Sequence, residues 1–190
     1  LRTHDETVAL ELSDLLFAEH RMLPVLKDLI ERYLPIRGRT MDRRTGCRIA
    51  ACVPVHIYGH PCRMDEIAEI CASYAIPLVE DAAEAIGSYR DGVHVGHHGR
   101  LSTLSFNGNK IITTGGGGMV ITNDEALADH LKHVTTTAKR PHPWEFFHDQ
   151  VGFNYRLPNL NAALGCAQME QLPHFLSEKR QIATAYRDFF

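Results

Sequence analysis

Short β-rich runs alternate with amphipathic segments from Cys52 to Val134, and this alternation constrains the fold more than any other feature of the chain. "CVPVHIYG" precedes "MDEIAEICASYA", whose Met64, Ile67, Ala68, Cys71 and Ala75 recur at helical spacing, with Asp65 and Glu66 suited to a first turn. "IPLVEDA", "LSTLSF" and "GMVITN" read as further strands, and Asn123 or Asp124 is placed to cap the helix "EALADHLKHV". Such a series predicts an α/β fold, with a mostly parallel sheet flanked by helices. The first 45 residues fit this pattern less well. There, "LELSDLLFAEHRMLPVLKDLIERYLP" predicts two amphipathic helical pieces around Pro24, and no βαβ unit is expected before Val53. Towards the other end, "TTTAKRPHPWEFFHDQVGFNYRLPN" reads as a long loop, of a length usually functional or interfacial. "LNAALGCAQMEQL" reads as a helix, and Pro173 as the start of another.

Composition removes several classes. A net charge of −3 over 190 residues, without a basic run, gives no reason to expect a nucleic-acid partner. No stretch of about 18 apolar residues suggests a membrane span, and "LRTHDETVAL" does not read as a signal peptide. Five cysteines, an odd count with no Cys-x-x-Cys pair, predict reduced thiols in a cytoplasmic protein. Twelve histidines raise the question of a metal site. His130 and His133 share a helix face but lack a third ligand, and the adjacent His97 and His98 diverge, so solvated surface histidines are expected rather than zinc.

Candidate chemistry concentrates in two stretches. "SFNGNKIITTGGGG" (residues 105–118) carries one lysine ahead of four glycines. A phosphate-gripping P-loop needs its lysine after the glycines, at the opening of a helix. Here Lys110 precedes them and a β-rich segment follows, so the glycines are expected to form a hairpin-like connection with positive φ angles. "LVEDAAEA" (residues 78–85) drives a strand into Glu80 and Asp81, at the carboxyl end of a parallel sheet, where α/β proteins place ligands. Alone, that acid could equally cap a turn. Together with Ser105 and Lys110 it gives an acid, a hydroxyl and an amine at one sheet edge. A phosphorylated aldehyde cofactor with a basic ring nitrogen uses all three: Asp81 for the ring proton, Ser105 for the phosphate, Lys110 for the Schiff base.

Four motifs in order, "VPVHIYGHPCRMDEI", "LVEDAAEAIGS", "LSFNGNKIITTGGGGMVITND" and "GFNYRLPNLNAALGCAQMEQL", resemble the central part of the DegT/DnrJ/StrS-type sugar aminotransferases. The resemblance runs from Val53 to about Tyr186, with similarity reaching back to about Arg39. It implies the large-domain core of the aspartate aminotransferase fold (fold type I) and the cofactor pyridoxal 5′-phosphate. Within the family, the glycine stretch and the long loop are similar to the branch acting on UDP-linked 4-keto-6-deoxy-N-acetylhexosamines, which serves legionaminic acid and bacillosamine-type pathways.

The roles the resemblance implies are these. Lys110 matches the catalytic lysine that bonds the cofactor, where sugar dehydratases of the family have histidine. Asp81 matches the acid that pairs with the pyridine nitrogen. Glu84 matches a position, often glutamine, beside the phenolic oxygen. Ser105 matches a phosphate ligand, and Asn154 an asparagine reaching the phosphate across a homodimer interface; Tyr155 and Arg156 would help shape the site or that interface. The implied reaction moves an amino group from glutamate to carbon 4 of a nucleotide-linked keto sugar. Three segments are expected: an atypical helical segment at 1–45, a partial cofactor-binding large domain at 46–172, and at 173–190 the start of a helix leading to a small domain. The phosphate-binding turn and ring-stacking residue that the family carries upstream are not recognisable, so the chain reads as a fragment. A non-catalytic fragment, a regulator of the same fold and a related sugar dehydratase are the alternatives.

Overall fold

A computed structural model describes residues 8–11, 41, 42 and 44–190. The chain divides into two compact units, residues 1–103 and 104–190.

In the first unit, β1 (Val8–Glu11) pairs in parallel with β2 (Ile49–Val53). β3 (Val79–Asp81) follows β2 through the parallel bridges Cys52–Leu78 and Val55–Asp81. The first three residues of β6 (Leu101–Ser105) close this unit and pair with β3 in parallel, Asp81 opposite Thr103. Between β2 and β3 lies helix α1 (Met64–Ser73), which buries Met64, Ile67 and Cys71 on one stripe. These residues meet Ile49, Cys52, Cys62, Ile76 and Leu78 in the core of this unit. The mostly parallel α/β arrangement is therefore present, with an antiparallel addition. Strands β4 (Tyr89–Arg90) and β5 (Val93–His94) form a tight hairpin whose turn residues Asp91 and Gly92 both have positive φ. This is the preference of Asp-Gly hairpins.

β1 corrects the expectation for the first 45 residues at one point. Leu10 and Glu11 are strand, not the opening of a helix, and β2 has a parallel neighbour on its upstream side. An apolar run of this length does not distinguish strand from helix; pairing with β2 decides it. The helical pieces expected around Pro24 lie outside the described residues.

In the second unit, β7 (Gly118–Ile121) is the hydrogen-bonded neighbour of β6. Helix α2 (Glu125–Thr135) is capped by Asp124, whose Oδ1 accepts the Leu127 N–H at 3.0 Å. Lys132 and His133 sit in its last turn, where cations suit the helix dipole. Helix α3 (Asn159–Phe189) runs unbroken through Pro173, so the two helices expected on either side of that proline are one. A proline deprives the carbonyl four residues earlier of its donor. Here that is Met169, which is half exposed on a helix that buries no residue. No helix among the described residues is long and apolar enough to cross a membrane.

Candidate active site

Side chains alternate between faces along a strand, and at the end of β3 this sends two consecutive acids in opposite directions. Glu80 is fully buried, whereas Asp81 is only half-buried. Oδ1 of Asp81 accepts the Ala83 N–H at 3.0 Å, which orients the carboxylate while leaving it acceptor capacity for a further donor. Its backbone is held from both sides. The Asp81 N–H donates to Pro54 O at 2.9 Å, and the His56 N–H donates to Asp81 O at 3.0 Å. Glu84 follows in the next turn, and its Oε2 accepts the Tyr58 N–H at 2.7 Å. Tyr58 has a φ of 53°, a conformation costly for a side-chain-bearing residue.

Behind Asp81, Glu80 organises this part of the unit. Its Oε2 accepts from His56 Nε2 at 3.1 Å and from the Gly96 N–H at 2.7 Å. Its Oε1 accepts the N–H groups of His98 and Gly99 at 2.7 and 2.6 Å. Burial pushes the Glu80 carboxyl up, but the His56 and backbone N–H hydrogen bonds outweigh it and hold the group below the usual range. Gly99 has to be glycine: a Cβ there would stand 2.9 Å from Leu78 O and 3.3 Å from Glu80 Oε1. The sequence alone places Glu80 beside Asp81 but marks no role for it or for His56. The partners of Glu80 lie 16 to 24 residues from it in the chain, so no local spacing reveals them. The one available signal is the alternation of faces itself, which buries a charged residue next to the candidate Asp81.

Two buried thiols of this unit are held towards their neutral form. Burial pushes Cys62 up to about 11. The neighbouring Cys71 thiol and burial raise Cys52.

In the second unit, Ser105 ends β6, and its Oγ accepts the Asn107 N–H at 3.3 Å. The hydroxyl hydrogen of a serine in that arrangement can still be directed at an anion. Lys110 is half-buried, and its N–H donates to Asn107 O at 3.0 Å, closing a turn. The loop that carries it is tied at both ends. Phe106 O accepts from the Thr114 N–H and the Thr113 hydroxyl, each at 3.0 Å, and the Phe106 N–H donates to Gly117 O at 3.0 Å. It is also tied to α3: Asn161 Nδ2 donates to Thr114 O at 2.6 Å, and the Thr113 N–H donates to Gln168 Oε1 at 3.2 Å. Of the four glycines, Gly115 and Gly117 have positive φ. Gly117 has a second reason to lack a side chain, because a Cβ would meet Leu157 Cδ1 at 2.9 Å.

Asn154 lies exposed in the same unit, bridged antiparallel to Thr136 beyond α2. Hydrogen bonds on either side of it, Phe153 N–H to Val134 O and Tyr155 N–H to Thr135 O, fix that backbone. The long loop closes on itself through the Lys139–His148 bridge and through Asp149, which pairs with His133 and Arg140. The sequence-derived site residues thus fall in both units: Asp81 and Glu84 in the first, Ser105, Lys110 and Asn154 in the second. Each unit by itself carries groups of a kind that pyridoxal phosphate uses: an oriented carboxylate in the first, and a hydroxyl and an amine on a tethered loop in the second.

This α/β framework with its acid and its loop lysine belongs to a known class. The chain is a member of the DegT/DnrJ/EryC1/StrS aminotransferase family, whose model matches residues 18–190. The match begins well before Arg39, where the recognisable motifs give out. Among its relatives is the GDP-perosamine synthase of Escherichia coli O157:H7, 48% identical over 77% of this chain and 40% of that protein. The GDP-perosamine synthase of Vibrio cholerae is 38% identical over 87% of this chain and 45% of its own length. Among solved structures, a DegT/DnrJ/EryC1/StrS aminotransferase from Brucella abortus superposes with a TM-score of 0.76 at 26% identity, over 87% of this chain and 42% of that one. Helicobacter pylori PseC, an aminotransferase of pseudoaminic acid biosynthesis, gives 0.65 at 29% identity, over 67% of this chain and 34% of its own. The chain spans less than half the length of these relatives.

Proposed function

We propose that this chain is the cofactor-binding part of a cytoplasmic, homodimeric aminotransferase that uses pyridoxal phosphate to move an amino group from glutamate to the 4-keto group of a nucleotide-linked 6-deoxy sugar. Membership of the aminotransferase family over residues 18–190, with Lys110 on the tethered loop, is the observation that carries this reading. When bound, the cofactor supplies an aldehyde that captures amines and a protonated ring that takes up an electron pair. Asp81 would hold the ring nitrogen's proton, with Ala83 fixing the carboxylate's direction. The Ser105 hydroxyl would bind phosphate, joined by Asn154 from the other subunit. Glu84, anchored on the Tyr58 N–H, would lie at the phenolic oxygen. Lys110 would hold the aldehyde and then carry the proton as general base and acid. Lysine rather than histidine at this position favours transamination over dehydration.

On the nucleotide, the named relatives favour guanosine over the uridine implied by the motif resemblance, since two of them are GDP-perosamine synthases. The homodimer is supported by the apolar surface of the long loop, where Trp144, Phe146 and Val151 are exposed. Given pyridoxal phosphate, glutamate and GDP- or UDP-linked 4-keto-6-deoxy sugars, the intact protein is expected to form the amino sugar, faster with GDP, as read by mass spectrometry. Lys110→Ala should abolish turnover; normal turnover in that variant overturns the assignment.

A further inference from the structure

We propose that Glu80 and His56 form a buried positioning pair that aims Asp81 at the cofactor's ring nitrogen; this rests on the pyridoxal phosphate reading above. Hydrogen-bond partners define the state of the pair. A backbone N–H only donates, so the Cys62 N–H, 3.1 Å from His56 Nδ1, makes that nitrogen the acceptor. The ring hydrogen of a neutral His56 then lies on Nε2, pointing at Glu80 Oε2. All four partners of Glu80 are thus donors, which fits only an ionised carboxylate with both oxygens committed.

The pair reaches Asp81 by two routes. Glu80 is its chain neighbour on β3, and the backbone N–H of His56 bonds the Asp81 carbonyl. His56 therefore holds Glu80 by its side chain and Asp81 by its main chain. Both residues are essentially inaccessible to solvent, at 1% and 0% exposure. Buried charged networks of this kind restrict a backbone to one arrangement when every member is satisfied. A carboxylate meant to meet one ring nitrogen needs that restriction, because a misplacement of about 1 Å weakens a directional contact severely.

Two variants separate positioning from plain support. Glu80→Gln sets an amide N–H₂ against donors that cannot reverse. His56→Gln removes the imidazole while leaving the three backbone donors of Glu80. The cofactor-free melting temperature reports folding. Affinity is then compared for pyridoxal 5′-phosphate and for its 1-deaza analogue, which lacks the ring nitrogen. The intact wild-type protein should prefer pyridoxal phosphate, and Asp81→Asn should erase the preference. Each pair variant should bind pyridoxal phosphate about tenfold more weakly or worse, with less than about a twofold change for the analogue. Equal losses for both ligands, or no loss for either, overturn the proposal while the cofactor reading stands. If Glu80→Gln does not fold, His56→Gln decides alone. Wild-type protein that binds both ligands equally, or neither, defeats the assignment of Asp81 itself and this inference with it.

Discussion

Along β3 one turn of the pleat separates the group assigned to chemistry from the group that supports it. Asp81 keeps acceptor capacity, whereas Glu80 is saturated by four donors. The Glu80 carboxyl is held below the ordinary glutamate range in the folded chain, and this gives a pH dependence of definite sign. A group with a depressed folded value contributes stability that is present above its unfolded value, about 4.3, and is lost as pH falls through the folded one. Chemical denaturation of the wild type should therefore show stability falling below about pH 4. Glu80→Gln should be less stable at neutral pH and show a shallower acid limb; an unchanged acid limb would remove Glu80 as a contributor. Asp81 could be picked out from the sequence because it ends an apolar run. Glu80 could not, because its role depends on backbone N–H groups that only the folded loop delivers.

At the scale of elements, local signals decide where the chain turns and long-range pairing decides the rest. Helix α2 was legible because a capping side chain and a basic last turn bracket a periodic run. Two residues could serve as the cap, and the structure selects Asp124. Asp124→Ala should cost about 1 kcal/mol, the usual penalty for a lost N-cap, measured by urea denaturation. A change within about 0.2 kcal/mol would mean the cap carries no weight there. The Tyr89–His94 hairpin has the turn signal Asp91-Gly92 but no periodicity to announce it, because its strands are only two residues each. Strand β1 is not legible in the sequence because a four-residue strand carries no period of its own. Pro173 misled in the other direction: its local preference to begin a helix did not prevent one from passing through it. The lysine loop shows both kinds of control. Its glycines announced the turn, but its attachment to α3 comes from Asn161 and Gln168, about fifty residues downstream.

For the whole molecule, the family and the candidate lysine were legible because their motifs occur in a fixed order over most of the chain. The nucleotide was not, since no motif in this chain, which spans about 40% of the Escherichia coli protein's length, marks a base. The central claim is that Lys110 is the residue that bonds pyridoxal phosphate. It is tested most directly by incubating the intact protein with pyridoxal phosphate, reducing with borohydride, and locating the modified lysine by peptide mass spectrometry. The account predicts a pyridoxyl group on Lys110. The same group on Lys27, Lys132, Lys139 or Lys179 instead, or no modified lysine at all, would contradict it.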